Sequence, residues 1–600
     1  MTRFISTRNL KFLLKDVFNA GLLTSFDYFS DHTEKMFDMV VDEAHAAAKQ
    51  LMYPVLEEMD RQQSSLTQGQ VHVHKAVKKI MKELGKGGWI AATFPKEHGG
   101  DQLPFTVKGA ASFIFAAANY SASAYPELTS GAAELITSFG SSTLVDTYVP
   151  PMLDGHWQGT MALTEPQAGS SLSDITTTAF RTDEGYFNIK GVKTFISAGD
   201  HDGADNIVHL MLARIENSPA GAKGISLFVV PKKRPNDNGA LVPNDITVSS
   251  IYHKLGYRGT PAAELSMGEK DDCRGWLVGE ENKGLSMMFQ MMNEARLLVG
   301  LASCAIASAA YHAALEYTRD RRQGRPLMQK EPGTPQIPII EHADVKRMLL
   351  FQKAVIEGSL SLILQCSLYA DLARVSQGDD KEKYELLLDL LTPVAKAFPS
   401  EYGILSVNTA IQCFGGYGYC EDFPVEQYLR DVRIHAIHEG TTGIQGMDLL
   451  GRKLVMKEGR AALLFVHEVT RTIEKAKTVK PLDFFTRELG HAMDRLQKVA
   501  GFLIETAGKH GPEVYLSDAT LFLEFFGLIV ISWQWLKQGI AVQKALEKDL
   551  PKSRKQFFEG KEFAMRYFYR YELPKTYGLA NRLMDKDHLT IEMKTEYFSD

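Results

Sequence analysis

Cysteine is scarce in this sequence: its 600 residues include five cysteines, an odd number, and no two of them form a CxxC pair. This usage argues against a disulfide scaffold and against a metal site built from four thiolates. A reducing compartment fits it best, and we expect a cytoplasmic protein.

The sequence also lacks an excess of charge of one sign, because 67 Lys and Arg stand against 73 Asp and Glu, for a formal net charge of −6. That balance argues against a generic binder of polyanions, and no nucleic-acid partner is expected. Hydrophobic residues make up 44% of the chain and charged residues 23%, so it can bury an ordinary core. About three or four domains are expected, at roughly 100–200 residues per domain.

A long uninterrupted apolar run is missing as well. The most apolar stretch, residues 521–535, carries Glu524 and Gln534. It is shorter than the roughly 20 clean apolar residues that a membrane span needs, so we expect a buried helix there and no membrane span. Residues 1–24 contain no apolar core followed by a small-residue cleavage site. No signal peptide is therefore predicted, and the mature chain is expected to begin near Met1.

Common nucleotide and metal motifs are absent. There is no GxxxxGK[ST] loop, and Gly416-Tyr417-Gly418 lacks the third glycine of a dinucleotide fingerprint, which disfavours an NAD or ATP enzyme. His72 and His74 have no third ligand nearby in the sequence. Thr442 stands where HExxH would require a second histidine. We therefore expect no metal.

Hydrophobic periodicity predicts an α+β multidomain protein. Helical spacing is found among residues 36–41 and again at 71–84, whereas 207–212 and 225–230 are short β-rich runs between turn residues. Long helical patterns return after about residue 285. The predicted domains are an N-terminal helical domain (1–158), a middle β domain (159–285), a helical bundle (286–458) and an extra C-terminal helical domain (459–600).

Three short segments combine hydroxyl groups, small residues and aromatic rings. They are residues 161–170 (MALTEPQAGS), 193–197 (KTFIS) and 412–418 (QCFGGYG). Each alone is compatible with an ordinary loop or helix end. Each is also compatible with a site where backbone amides and hydroxyls approach a flat polar ring.

Taken in this order and at roughly these spacings, the segments resemble the flavin-dependent acyl-CoA dehydrogenase family. The resemblance runs from about residue 94 to 454 and also includes residues 95–100 (PKEHGG), 254–256 (KLG), 279–284 (GEENKG) and 439–445 (EGTTGIQ). The C-terminal extension and residues 339–350 (IIEHADVKRMLL) are similar to the longer bacterial branch that includes 3-methylmercaptopropionyl-CoA dehydrogenases.

The resemblance implies a fold with an N-terminal helical domain, a β-barrel-like middle domain and a four-helix bundle, here followed by an extra helical domain. It implies an oxidoreductase of fatty acid metabolism that uses FAD, takes an acyl-CoA substrate and passes electrons to an electron-transfer flavoprotein. It also implies a homo-oligomer, with a homodimer favoured. Two alternatives remain open: a DNA-associated flavoprotein of the same fold, and an acyl-CoA oxidase.

The resemblance further implies that Glu439 is the catalytic base and that its own backbone N–H helps to bind the substrate carbonyl. The expected substrate contacts are Ser170, Arg296 and Gly440. Some relatives carry the base just before the position of Arg296. Ala295 occupies that position here, and Glu294 is about 100° away around a helix, so Glu439 is preferred. The expected FAD contacts are Met161, Leu163, Thr164, Ser170, Phe195, Ile196, Ser197, Arg321, Gln412, Gly416 and Thr441, with Arg321 reaching a neighbouring subunit's cofactor.

Overall fold

The computed structural model describes residues 3–236, 238–329 and 331–599, with side chains for all of these except 289–292. Most of the described chain is helical. In chain order the helices are α1 (Thr7–Phe12), α2 (Glu34–Ala47), α3 (Leu56–Arg61), α4 (Ala76–Lys86), α5 (Phe105–Ala118), α6 (Tyr120–Phe139), α7 (Ser142–Leu153), α8 (Gly284–Asp320), α9 (Ala343–Val375), α10 (Gly378–Phe414), α11 (Val425–Val432), α12 (Thr442–Asp448), α13 (Arg460–Lys477), α14 (Asp483–His510), α15 (Pro512–Leu516), α16 (Ala519–Leu546), α17 (Lys552–Tyr567), α18 (Lys575–Leu583) and α19 (Leu589–Glu592).

The strands of the described residues lie between α3 and α8 in the sequence. They are β1 (Ser65–Thr67), β2 (Gln70–His72), β3 (Trp157–Ala162), β4 (Thr178–Arg181), β5 (Phe187–Ser197), β6 (Asn206–Ile215), β7 (Ile225–Pro231), β8 (Lys233–Pro235), β9 (Leu241–Pro243), β10 (Ile246–Ile251), β11 (Ala262–Met267) and β12 (Arg274–Val278). Two short hairpins, β1–β2 and β8–β9, stand apart from the main sheet.

The main sheet closes on itself. Strand β4 pairs with both β5 and β6, and β5, β12, β7 and β6 are hydrogen-bonded neighbours in that order, so these strands form a ring. Strands β11 and β10 extend the sheet from β5, and β3 extends it from β6. A cluster of buried apolar side chains, including Phe187, Met211 and Phe228, forms the core. The β-barrel-like middle domain expected from the sequence is therefore confirmed.

The β-rich runs at 207–212 and 225–230 are confirmed as parts of β6 and β7, and every residue of β7 is buried. A strand covered on both faces has a continuous apolar run in place of an alternating one. One local prediction is wrong: residues 70–72 form β2, and the helix begins only at Ala76. The reason is the turn at Gln68 and Gly69, which both have positive φ, a backbone conformation that favours a hairpin.

The chain divides into two compact units. One, the helical unit, contains Met1–Val41, Phe105–Phe113 and Arg296–Asp600; the other, the sheet unit, contains Asp42–Pro104 and Ile114–Ala295. The sheet unit contains every strand given above, and the helical unit contains α9 to α19. The four domain boundaries given above remain a prediction.

The C-terminal helix α16 packs directly on α9 and α10 in the helical unit. A methyl group added at Gly358 of α9 would lie 2.6 Å from Ile531, and one at Gly527 would lie 2.7 Å from Phe398 of α10. Only glycine permits such close helix contacts. Trp535 also donates its indole N–H to the Ala354 carbonyl at 3.0 Å. The extra C-terminal section is thus part of the core of the bundle.

The apolar stretch at 521–535 lies within α16, and its large side chains are buried, as the sequence predicts. By length and composition alone, α8, α9 and α16 are long and apolar enough to cross a membrane. In their most apolar windows, however, 83 to 89% of the residues are buried within the protein. Packing inside the fold therefore already covers the apolar surface of these helices.

We expect deletion of residues 461–600 to give insoluble or dissociated protein. The deletion removes α16 and uncovers the faces of α9 and α10 that pack against Ile531, Trp535 and Gly527. Apolar surface of this kind drives association when it is exposed. Size-exclusion chromatography of the soluble fraction measures the effect. A soluble truncated protein with the oligomer size and activity of the full chain would contradict this role.

Candidate active site

A buried ion pair in the sheet unit fixes the loop that follows β3. Lys193 Nζ lies 2.8 Å from Glu165 Oε1, and both side chains are almost fully buried. Lys193 also donates to the Leu163 carbonyl at 3.1 Å. Glu165 accepts further hydrogen bonds from the backbone N–H groups of Thr176, at 2.6 Å, and Thr177, at 3.0 Å. The loop from Leu163 to Glu165 is therefore fixed by Lys193 of β5 and by the backbone of Thr176 and Thr177.

Both members of this pair are charged at neutral pH. Burial alone would raise the pKa of Glu165, but the adjacent Lys193 and the hydrogen bonds from Thr176 and Thr177 lower that pKa to about 2. Burial lowers the pKa of Lys193 to about 8, against the attraction of Glu165. A buried pair of this kind is stable only when hydrogen bonds satisfy both charges, as they do here.

The same loop is joined to the segment around Phe195. Thr194 donates its backbone N–H to the Thr164 carbonyl at 2.9 Å. Phe195 has a φ of 58°, in the left-handed region, at an irregularity in the pairing of β5 with β11. The residue is 60% exposed, and its ring stacks on that of Tyr252 with ring centroids 4.2 Å apart. Thr164 and Phe195 are thus brought together, with an exposed aromatic face beside them.

The other expected cofactor contacts of the sheet unit differ in burial. Met161, Leu163, Thr164 and Ser197 are partly exposed. The side chain of Ile196 is 2% exposed and belongs to the core cluster, so any ligand contact by this residue is restricted to its backbone. Ser170 lies on the exposed loop that follows Ala168. Because side chains alternate along a strand, Met161 of β3 faces away from the neighbouring buried Ala162.

In the helical unit, Glu439 lies in the loop between α11 and α12, and its backbone is unusual. It has a φ of 54°, and Gly440 follows with a φ of 87°. A side chain at Gly440 would meet the Gln445 amide nitrogen at 2.6 Å. Left-handed backbone at a residue other than glycine is uncommon and is concentrated at functional sites. Among the described residues, no acceptor is found for the Glu439 backbone N–H, which leaves it available to a ligand.

A lysine that the sequence analysis missed holds this loop. Lys396 of α10 is fully buried, and its Nζ donates to the carbonyls of His435 and Gly440, each at 2.7 Å. These two carbonyls flank Glu439 on either side. From the C-terminal side, the Gln445 amide donates to the Glu439 carbonyl at 3.2 Å. Lys396 therefore fixes the backbone of Glu439 from α10.

The C-terminal section supports the other end of the loop. Thr441 caps α12 by accepting the Ile444 N–H at 3.3 Å. A methyl group added at Gly446 of α12 would lie 2.8 Å from the backbone of Ala519, the first residue of α16. Tyr515 donates to the Leu450 carbonyl at 2.6 Å just beyond α12. The helix that follows Glu439 thus packs against the extra C-terminal section.

Electrostatics favour a protonatable carboxyl group at Glu439. Burial raises its pKa above the ordinary value of a glutamate, while the positive charges of Arg296 and Lys396 act in the opposite direction. Burial lowers the pKa of Lys396 to about 8. Arg296 is buried and lies 3.4 Å from Asp448, and its Nε has no hydrogen-bond partner among the described residues. A carboxylate whose pKa is raised by burial holds a proton more strongly than an ordinary glutamate does, as a general base requires.

Two of the remaining expected contacts lie at a cleft of about 470 Å³ in the helical unit. Arg321 and Gly416 both line it, with Tyr317 and Phe414. Gln412 is exposed on α10 one helical turn before Gly416. No heavy atom lies within 4 Å of a methyl group added at Gly416, so its backbone is open to a ligand. The structure brings Arg321 to Gly416, and Arg296, Gly440 and Thr441 to Glu439.

Two groups that fix the loops of the candidate site were not predicted from the sequence: the ion pair of Glu165 with Lys193, and Lys396. The charged residues adjoin predicted contacts, since Glu165 follows Thr164 and Lys193 precedes Thr194. That adjacency was a usable signal that both residues belong to the site, whereas their pairing depends on the packing of β5. Lys396 is 43 positions before Glu439 in the sequence numbering, and only the packing of α10 brings it to the loop.

Known protein-family domains match most of the chain. Residues 35–156 match the N-terminal domain of acyl-CoA dehydrogenase, 160–269 its middle domain and 282–454 its C-terminal domain. Residues 465–594 match a family described as acetyl-CoA dehydrogenase C-terminal like.

Characterised relatives match over similar lengths. The chain is 37% identical over 522 residues to 3-methylmercaptopropionyl-CoA dehydrogenase of Ruegeria pomeroyi, covering 85% of this chain and 87% of that protein. It is 31% identical over 607 residues to a butyryl-CoA dehydrogenase of Syntrophomonas wolfei, covering 98% of each.

A solved structure has the same fold at low identity. The acyl-CoA dehydrogenase of Bacillus anthracis, complexed with FAD, superposes with a TM-score of 0.72 at 19% identity and covers 94% of each chain. The family and its longer branch rest on the family matches and on the identity to the Ruegeria protein over most of both chains. The chain accordingly belongs to the acyl-CoA dehydrogenase family of FAD-dependent oxidoreductases, in the longer branch that includes 3-methylmercaptopropionyl-CoA dehydrogenase.

Proposed function

We propose that this enzyme removes the α-proton of an acyl-CoA thioester with Glu439, while the β-hydrogen leaves as hydride, to give the 2-enoyl-CoA. The observation that carries the proposal is the state of Glu439: a carboxyl group of raised pKa, next to Arg296 and Lys396, on a left-handed backbone with an unused N–H. A general base works best when its pKa lies near the working pH.

The proton removed is only weakly acidic, so the negative charge that develops on the thioester oxygen must be stabilised. The N–H of Glu439 is proposed as one hydrogen-bond donor to that oxygen. Lys396 supports this role because it fixes the neighbouring carbonyls, and a preorganised donor needs no rearrangement during the reaction. The residue that takes the proton and the donor that binds the oxygen are then the same residue.

The residues present suit a flavin nucleotide. We propose contacts from Met161, Leu163, Thr164, Ser170, Phe195, Ile196 and Ser197, and from Arg321, Gln412, Gly416 and Thr441. Support comes from the exposed ring of Phe195, the open backbone at Gly416 and the exposed Arg321 beside it. Backbone and guanidinium groups of this kind recognise rings and phosphates. When bound, FAD supplies the acceptor for the hydride that leaves the β-carbon.

We propose a short or medium acyl chain as the substrate, either a fatty acyl-CoA or 3-methylmercaptopropionyl-CoA, and an electron-transfer flavoprotein as the electron acceptor. The names of the relatives support this range, because they include butyryl-CoA and 3-methylmercaptopropionyl-CoA dehydrogenases. Ser170, Arg296 and Gly440 are the proposed substrate contacts. We further propose a homodimer located in the cytoplasm; the five free cysteine thiols support a reducing compartment.

Steady-state turnover of a panel of acyl-CoA thioesters tests this proposal. Butyryl-, octanoyl- and 3-methylmercaptopropionyl-CoA are compared at equal concentrations, with an electron-transfer flavoprotein or with oxygen as the acceptor. We expect 2-enoyl-CoA to form and to require the flavoprotein. Rapid turnover with oxygen alone would instead indicate an oxidase. An absence of product with every thioester would contradict the proposed reaction.

Lys396→Met should slow turnover by about tenfold, which corresponds to about 1.4 kcal/mol. The change keeps much of the side-chain volume but leaves the carbonyls of His435 and Gly440 without their donor. It also removes a positive charge that lowers the pKa of Glu439, so that pKa rises. Because the base acts only when deprotonated, the acid limb of the kcat/KM profile should move to higher pH.

The matched control for this variant is Lys381→Met, an exposed lysine on the same helix. We expect Lys381→Met to keep the wild-type profile, and both variants to bind FAD. A Lys396→Met enzyme with an unshifted acid limb and normal turnover would show that the lysine does not position the loop.

A further inference from the structure

A second cleft lies in the helical unit and shares no lining residue with the groups described above. Its volume is about 400 Å³, within the usual range of small-molecule sites. Helices α10, α13 and α16 contribute five cationic side chains to its lining: Lys383, Arg471, Lys475, Lys537 and Lys544. This concentration of positive charge contrasts with the net charge of −6 of the whole chain.

Two carboxylates line the same cleft, and one of them is already neutralised. Glu468 is buried and pairs with Lys383 at 3.0 Å and with Arg471 at 2.7 Å. Asp16 is exposed. Lys475 and Lys544 are also exposed, and neither forms an ion pair within the described part of the chain. The cleft therefore retains an excess of positive charge.

Lys537 lies at the inner part of this cleft. Its ammonium group donates to Gln365, and it lies 5.0 Å from the ring centre of Phe18 and 5.3 Å from that of Trp533. Burial lowers the pKa of Lys537 to about 7; Glu468 opposes this shift, while Arg471 and Lys475 add to it. Burial is thus the main cost of charging this lysine, and an anion in the cleft would stabilise its charged form.

We propose that this cleft, which we call the basic cleft, binds a phosphate-bearing small molecule of about nucleotide size. Lys475, Lys537 and Lys544 converge on it as ammonium donors, and ammonium groups suit the charge of a phosphate. The volume exceeds what a bare ion fills. Tyr384, partly buried on the wall, offers an aromatic surface to the organic part. The proposal is independent of the dehydrogenase reaction.

Calorimetric titration of the FAD-loaded full chain with AMP, and separately with inorganic phosphate, tests this site at low ionic strength. The variant is Lys475→Met with Lys544→Met, two exposed positions whose replacement leaves the core intact. The control is Lys477→Met with Lys498→Met, also exposed and outside the cleft. We expect the double variant to weaken AMP binding at least about tenfold, since charged contacts to phosphate carry much of such affinity. The control should bind as the wild type does.

Each outcome is decisive. AMP binding that phosphate displaces, and that the cleft variant weakens, supports the proposal. If phosphate binds and AMP does not compete with it, the proposal that the ligand has an organic part is wrong. If AMP binds the cleft variant and the wild type with equal affinity, AMP binds outside the basic cleft. No heat with either probe at millimolar concentration would also overturn it. Acyl-CoA turnover of the cleft variant should match the wild type, so a failure here is separable from a failure of the proposed reaction.

Discussion

Replacing Glu439 by Gln is expected to slow the reduction of FAD by acyl-CoA by about 10²–10⁴-fold, the usual contribution of a positioned general base. The amide keeps the volume of the side chain and leaves the backbone N–H and the contacts of Lys396 in place. It cannot accept a proton at neutral pH. FAD and acyl-CoA should therefore still bind, while the chemical step fails.

Glu294→Gln is the matched control for Glu439→Gln. Glu294 adjoins the position that carries the base in some relatives, but it is about 100° away around the helix. We expect near-normal flavin reduction by this variant in rapid-mixing absorbance measurements. Normal bleaching by Glu439→Gln together with loss in Glu294→Gln would move the base to the other helix.

The second large effect concerns stability. Lys193→Met should lower the free energy of unfolding by about 3–5 kcal/mol, because it leaves Glu165 as a buried charge without its counter-ion. The loop that bears Thr164 loses its anchor at the same time, so we also expect weaker FAD binding. Chemical denaturation of the FAD-free protein measures the first effect, and flavin titration measures the second.

Two comparisons make this prediction specific. Lys190 lies on β5, as Lys193 does, and forms an exposed ion pair with Asp271. Lys190→Met removes this pair and should change the free energy of unfolding by no more than about 1 kcal/mol. Lys193→Met combined with Glu165→Gln removes both charges and should recover part of the loss, because the buried uncompensated charge is gone. If Lys193→Met and Lys190→Met have the same free energy of unfolding, the buried pair does not stabilise the fold.

The ion pair also gives a pH dependence with a definite sign. The pKa of Glu165 is about 2 in the folded protein, below its ordinary value of 4.5. A carboxyl group with a lowered pKa stabilises the fold fully above its unfolded pKa, and this contribution is lost as pH falls through the folded pKa. We therefore expect the stability difference between wild type and Glu165→Gln to shrink between pH 4.5 and about 2.

The sequence predicted those parts of the fold that depend on local patterns. The buried runs that became β6 and β7, and the apolar stretch within α16, could be recognised because continuous apolar residues need cover on all sides. The hairpin at β2 was missed because two residues with positive φ, Gln68 and Gly69, outweigh a weak helical pattern.

Of the candidate site, the sequence supplied the residues but not the contacts that hold them. Thr164, Phe195 and Glu439 were selected by resemblance to a family. The buried lysines that position their loops, Lys193 and Lys396, act across 28 and 44 residues of chain, to Glu165 and Gly440. Contacts between distant residues leave no periodic signal. Packing of β5 and of α10 creates them.

Anaerobic mixing of the FAD-loaded enzyme with excess butyryl-, octanoyl- or 3-methylmercaptopropionyl-CoA tests directly whether the enzyme oxidises an acyl-CoA thioester. The flavin absorbance and the 2-enoyl-CoA formed are measured in the same sample. We predict that at least one thioester bleaches the flavin within a single turnover, with one enoyl-CoA formed per flavin reduced. If dithionite bleaches the flavin but none of the three thioesters does, and no enoyl-CoA forms, the proposed reaction is wrong.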